Sequence, residues 1–255
     1  MKPTDRRGAL RTGAAAALAG ALATACGTEP RPAPAAAARH PAPAPVVAPA
    51  PRRFPGRPDE IAHGPRDRPR VALTFHGQGD PALARRLLAQ AEKAGARVTV
   101  LAVGGWLDEH PEMARRVLDG GHDLGNHTQR HIDINAMTEA EALAEIQACA
   151  GRLRRLTGSV GTWFRPSRTQ HAAPHVLRAA RRAGYPHVLS YDVDSLDFTS
   201  PGAAAVVRNV IGPVRAGSVV SLHFGYPDTA TALPLLLADL DRRGLSAVTT
   251  TELLS

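Results

Sequence analysis

Arg70-Val71-Ala72-Leu73-Thr74-Phe75 is a short, mostly apolar run. A helical pattern follows over Pro81–Ala94, closed by Gly95, and then a second apolar run, Arg97–Val103. Continuous apolar runs of this length suit strands buried on both faces, and two of them joined by a helical stretch make a β-α-β unit. The pattern repeats downstream. Further strands are expected at His122–Asn126, Val160–Arg165, His187–Asp192, Ser218–Phe224 and Ser246–Thr250. Between them lie helical patterns at Pro111–Asp119, Glu139–Leu156, Pro174–Ala183, Ala203–Ile211 and Thr231–Arg243. Thr138 with Glu141 three residues on is a capping box, and Gly95, Gly158, Gly184 and Gly244 fit helix C-termini. About seven β-α steps predict an α/β fold with a parallel sheet and outer helices, either a closed barrel or an open doubly wound sheet. In both, chemistry belongs at the C-terminal ends of the strands.

The chain ahead of Arg70 reads differently. Residues 1–26 hold Lys2, Arg6-Arg7, Arg11 and a small apolar run before Cys26. Together these describe an export signal, with Arg6-Arg7 resembling a twin-arginine leader. Leu22-Ala23-Thr24-Ala25-Cys26 resembles a lipobox, so Cys26 is expected to carry lipid and tie the protein to the outer face of the cell membrane; an ordinary secreted protein is the alternative. Residues 29–51 contain eight prolines and nine alanines, a composition with little to bury. Extended at roughly 3.1 Å per residue, that stretch could reach on the order of 70 Å; residues 27–67 are expected to form a disordered spacer, with one folded domain over 68–255.

The net charge of +8 does not point to nucleic acid. Residues 61–255 carry 22 basic and 19 acidic side chains, without a basic stripe interleaved with aromatics. No glycine-rich phosphate loop opens a helix, so a nucleotide cofactor is not expected. Cys149, within an alanine-rich segment, is expected to be a buried small hydrophobe.

Chemistry concentrates in Gly125-Asn126-His127-Thr128-Gln129-Arg130-His131. Two imidazoles four residues apart on a helix or tight helical turn reach one point in space, and zinc accepts neutral imidazole. The other polar candidates also follow expected strands: His76 to Asp80 after the first, Arg165 at the end of the fourth, Asp194 and Asp197 after the fifth, and His223 near the end of the sixth.

Taken together, Thr74-Phe75-His76-Gly77-Gln78-Gly79-Asp80, Gly121-His122-Asp123-Leu124-Gly125-Asn126-His127-Thr128 with His131, Arg165-Pro166, Asp194-Ser195-Leu196-Asp197-Phe198 and Leu222-His223 resemble the five ordered motifs of the polysaccharide deacetylases. This is carbohydrate esterase family 4, the NodB-homology group. The resemblance implies a deformed (β/α) barrel of about seven parallel strands, a divalent metal, most often zinc, and removal of acetyl groups from peptidoglycan-, chitin- or xylan-like glycans. It implies that His127 and His131 bind the metal, and that Arg165 orients the catalytic base. Asp197 then tunes His223, the acid, while Phe198 and Leu222 lie in the substrate-binding motifs. The first motif departs from the family, which has two adjacent aspartates where this chain has His76-Gly77. Either His76 replaces the base and Asp80 the third ligand, or His76 is itself the ligand; Asp80 is equally placed to cap the helix that begins at Pro81. Two readings of function stay open: a metal-dependent deacetylase and a non-catalytic glycan-binding relative.

Overall fold

The computed structural model describes residues 47–255. The expected export signal, Cys26 and the part of the expected spacer up to residue 46 lie outside the described residues. The ordered part starts earlier than position 68: Ala48 is buried, and Phe54 stacks on Trp163 with ring centroids 5.4 Å apart. Such a stacked pair contributes roughly 0.5–1.5 kcal/mol beyond its burial. The proline count hid this anchor, because one aromatic ring suffices to hold an otherwise extended segment.

The eight strands are β1 (Glu60–Ile61), β2 (Arg70–Gly77), β3 (Thr99–Ala102), β4 (Asp123–Asn126), β5 (Val188–Leu189), β6 (Val193–Asp194), β7 (Val219–His223) and β8 (Ser246–Ala247). The helices are α1 (Pro81–Lys93), α2 (Gly104–Glu109), α3 (Glu112–Asp119), α4 (Glu139–Thr157), α5 (Pro174–Arg182), α6 (Ala203–Ile211), α7 (Pro227–Arg242) and α8 (Thr250–Leu254). All strand pairs are parallel, in the order β4-β3-β2-β7-β6, with β8 also on β2 and β1 on β5. Single bridges complete the ring: Asn126 to Phe164, Phe164 to Val188, and His63 to Ser218. The result is a barrel deformed on the side where pairing shrinks to isolated bridges.

Three expected strands are thereby shortened. Val160–Arg165 contributes only the bridge at Phe164, because Gly161 turns at φ +84° and brings the chain against the Leu124 carbonyl. His187–Asp192 is replaced by the two-residue strands β5 and β6. Ser246–Thr250 gives way to β8 and then α8, which opens with its own capping box of Thr249 and Glu252.

Period-two alternation sorts the side chains into two layers. Val71, Leu73 and Phe75 of β2, with Val220 and Leu222 of β7, face outward into the apolar layer under the helices. Ala72 and Val219 face inward, where Phe54, Trp163, Leu189, Leu253 and Leu254 fill the interior. The same alternation points Thr74 and His76, Ser221 and His223 into the upper barrel. The Thr138–Glu141 capping box opens α4, and Gly158 closes it at φ +76°.

Candidate active site

His76 is the penultimate residue of β2, and β3 and β7 flank it in register at Leu101 and His223. His127 follows β4, its backbone N–H donating to the Ala102 carbonyl at 2.9 Å. His131 is reached through a turn and not a helix: Thr128 and His131 both adopt left-handed backbone, at φ 67° and 55°. For residues with a Cβ this conformation is costly and must be over-determined by its surroundings. Several bonds do so. Thr128 N–H donates to Asn126 Oδ1 at 2.9 Å, and His131 N–H to Thr128 Oγ1 at 3.2 Å. The Thr128 and Gln129 carbonyls accept from Gly104 and Gly105, the otherwise uncapped N-terminus of α2. Glu145 of α4 accepts from both the backbone N–H and Nε of Arg130.

These constraints bring one ring nitrogen from each of His76, His127 and His131 within 4.8 Å of one another. The donor set fits a metal. His127 Nδ1 lies 3.0 Å from the Arg165 carbonyl, which can only accept, so Nδ1 carries the proton. Its Nε2 lone pair is buried without a partner, an orphan that a cation would satisfy. His76, His127 and His131 would hold such an ion, each offering one ring nitrogen. Burial holds His76 well below the ordinary histidine value, helped by His127, His223 and Arg165, and burial with His131 does the same for His127. His131 is pushed down to about 4 by burial and by Arg168. All three are neutral at pH 7 and can offer lone pairs.

Asp80 takes the capping role. Its carboxylate accepts from Ala82 N–H at 2.8 Å at the start of α1, and the histidine cluster does not include it. Gly79 lies between, at φ +97°, so close to Gly225 that a Cβ would come 2.6 Å from the Gly225 Cα. The Gly79 carbonyl is further pinned by Trp106 Nε1 at 2.8 Å. Gly77 is equally committed, since a Cβ there would stand 2.9 Å from Val100 Cγ1 and 3.1 Å from the Ala102 Cα. A second carboxylate side chain therefore has no room at this position without movement of β3.

Arg165 is fully buried behind His76. Nε donates to the Leu189 carbonyl at 3.1 Å, Nη2 to the Ser190 carbonyl at 2.9 Å, and Nη1 to Thr74 Oγ1 at 2.8 Å. Nη1 also lies 3.3 Å from His76 Nε2. Burial lowers the guanidinium to about 10, which leaves it charged. Across the groove, Asp197 is buried and accepts three bonds: from His223 N–H at 2.8 Å, His223 Nδ1 at 2.6 Å and Thr229 Oγ1 at 2.6 Å. That leaves His223 Nε2 for the groove, with the two rings of His76 and His223 4.3 Å apart.

The groove encloses about 380 Å³. Phe198 lies on its rim, 45% exposed. Leu222 does not line it: odd-numbered β7 residues point inward, and Leu222 packs in the outer core. A larger cleft of about 570 Å³ at Arg70, Arg97 and Glu252 has no histidine in its lining. Sequence reasoning missed Ser221, Thr229 and Tyr191. Ser221 was signalled by its position two residues before His223 on the same strand face, whereas the others arrive from loops and helix ends with no periodic signal.

The polysaccharide deacetylase family model matches residues 63–188. The chain is 29% identical to a peptidoglycan-N-acetylglucosamine deacetylase of Bacillus cereus over 188 residues, covering 72% of this chain and 87% of that one. It is 29% identical to a chitooligosaccharide deacetylase of a Bradyrhizobium species, covering 68% and 85%. Among solved structures it resembles a CE4 family pseudoenzyme from Bacillus anthracis, with a TM-score of 0.73, 22% identity and coverage of 78% and 70%. A mutant of that pseudoenzyme with restored enzymatic activity superposes equally well, with a TM-score of 0.73 at 23% identity over 78% and 72%. The fold matches theirs, and the family is one of hydrolases. With its motifs in order and the first one divergent, the stretch from 63 to 188 is a domain of the polysaccharide deacetylase family, carbohydrate esterase family 4.

Proposed function

We propose that this protein is a metal-dependent hydrolase that removes acetyl groups from an envelope polysaccharide of the peptidoglycan or chitin-like kind. The observation that carries the reading is the cluster of three neutral histidines facing an Asp197-oriented His223 across one groove. His76, His127 and His131 would hold the ion, with zinc favoured by an all-imidazole donor set. When bound, the ion supplies Lewis acidity toward the acyl oxygen and water.

The chain's own residues supply the rest. His223 accepts a proton from the attacking water at Nε2 and delivers it to the departing sugar nitrogen or oxygen, so acetate and the free amine or hydroxyl leave with protons balanced. Asp197 fixes the Nδ1–H tautomer and offsets the positive charge of the protonated ring. Arg165, held by Thr74 and the Leu189 and Ser190 carbonyls, keeps a fixed positive charge behind the His76 ring. Phe198 and Tyr226, whose rings stand 5.5 and 5.7 Å from that of His223, form an aromatic wall for a sugar face.

The near-lipobox at Cys26 and Arg6-Arg7 support a site of action outside the cytoplasm, on the outer face of the membrane or secreted. Cys26→Ala should move the protein from the membrane to the soluble fraction. The activity test is acetate release by the zinc-loaded full chain from N-acetylated peptidoglycan strands and chitooligosaccharides. Release that disappears with a chelator and returns with zinc supports the reading. A second reading, a glycan-binding relative without turnover, is favoured by the lack of a carboxylate in the His76, His127 and His131 cluster. Saturable binding of those glycans with no acetate released would establish it instead.

A further inference from the structure

Arg168 is a solvent-exposed residue on the wall of the groove, held there in a strained backbone conformation. Its φ is +58°, in the left-handed region that residues with a Cβ enter at a cost. The strain is held by neighbours. Arg168 Nε donates to the His131 carbonyl at 3.0 Å, and Ser167 Oγ donates to the Ile132 carbonyl at 2.5 Å. The side chain lines the same groove as His76, His131 and His223.

Only Nε is engaged. Among the described residues, no carboxylate pairs with Arg168, while both Nη groups remain to bind something. The other charged groups of the groove do not supply a partner. Asp194 accepts from Leu196 N–H at 3.0 Å, and Asp197 is consumed by His223 and Thr229. Arg165 adds a second positive charge behind His76. Asp194 and Asp197 offset Arg165 and Arg168 in total charge, but Arg168 itself has no ion-pair partner among the described residues, and a guanidinium with two free Nη groups matches a planar carboxylate.

Resting on the deacetylase reading above, we propose that Arg168 selects acidic glycans, binding a carboxylate carried by the substrate next to the acetylated group. A neutral glycan would leave this guanidinium to water and gain nothing from it. The carboxylate can belong to a lactyl ether or to a uronic acid; the recognised chemistry is the same.

The test uses the zinc-loaded full chain and peptide-free glycan strands of peptidoglycan, compared with the same strands after methyl esterification of their carboxylates. Wild type should favour the free acid by about tenfold in kcat/KM, the scale of one charge-assisted hydrogen-bond pair. Arg168→Gln should bring the acid-to-ester ratio close to one, and Arg168→Lys should restore part of it. Zinc content, read alongside, should be the same in all three proteins. Calorimetric binding of both glycans runs in parallel. If no acetate is released but the acid form binds more tightly than the ester and Arg168→Gln removes the difference, the inference stands and the deacetylase reading falls. Equal handling of acid and ester by wild type, or a ratio that Arg168→Gln leaves unchanged, overturns it.

Discussion

His76 Nε2 lies 3.3 Å from Arg165 Nη1 and 3.2 Å from Ser221 Oγ, so one nitrogen has a fixed donor on one side and an adaptable hydroxyl on the other. The guanidinium only donates, which favours a lone pair on Nε2 and a proton on Nδ1. A metal on Nδ1 requires the reverse, with Nε2–H donating to Ser221. Ser221 is then the residue that makes the metal-binding tautomer satisfiable. Ser221→Ala should weaken zinc affinity by about 10–100-fold, the usual effect of losing a hydrogen bond behind a ligand. Ser221→Thr, which keeps the hydroxyl, should retain most of it. Competition with a zinc-sensitive dye reads both.

The roles of Asp80 and Leu222 are structural and should separate cleanly from the chemistry. Asp80→Ala loses an N-cap worth about 1 kcal/mol, lowering the urea midpoint while zinc stoichiometry stays at the wild-type value. Leu222→Ala empties a buried site and should cost about 2–5 kcal/mol. Its KM for glycan should not change, since the side chain faces the helices. A zinc-free Asp80→Ala protein would restore the carboxylate to the metal site.

The His223–Asp197 pair should behave as proton-moving machinery distinct from the metal set. His223→Ala should keep zinc and lower acetate release by about 10²–10⁴-fold. Asp197→Asn should act through the same step, because the amide no longer fixes the Nδ1–H tautomer. Wild-type activity in both variants would remove His223 from the mechanism.

The neutral histidines predict the acid sensitivity of the metal-free protein. In the unfolded chain they take up protons near the ordinary value of about 6.5. In the folded chain His76 and His127 are held well below that by burial, and His131 down to about 4. The unfolded state thus binds more protons, and stability rises with pH. Chelator-treated protein should lose stability progressively as pH falls from about 6.5 toward 4, read as a falling urea midpoint. Bound zinc should delay the loss. A midpoint that is flat or rises on acidification would contradict the burial of these rings.

Much of this was legible from residue order. The β2-α1-β3 unit and the capping box at Thr138 were visible because periodicity and capping chemistry are local. His127, His131, Arg165, Asp197 and His223 could be picked out as candidates because each lies at or just after the end of an expected strand. The turn geometry of His131 was not, since left-handed backbone at Thr128 and His131 is imposed by α2, α4 and Asn126 from a distance. The choice between His76 and Asp80 was also hidden. It depends on Gly79 packing against Gly225 and on the Trp106 bond to the Gly79 carbonyl, contacts between segments far apart in sequence. The packing of Phe54 on Trp163 was obscured by the proline-rich composition around it.

Zinc titration of the chelator-stripped full chain, wild type beside His76→Ala, tests the central claim most directly. The three-histidine account predicts one zinc per wild-type chain and none retained after gel filtration by His76→Ala, with circular dichroism unchanged. Wild type that takes up no zinc, or a His76→Ala protein that binds it as wild type does, would contradict the account.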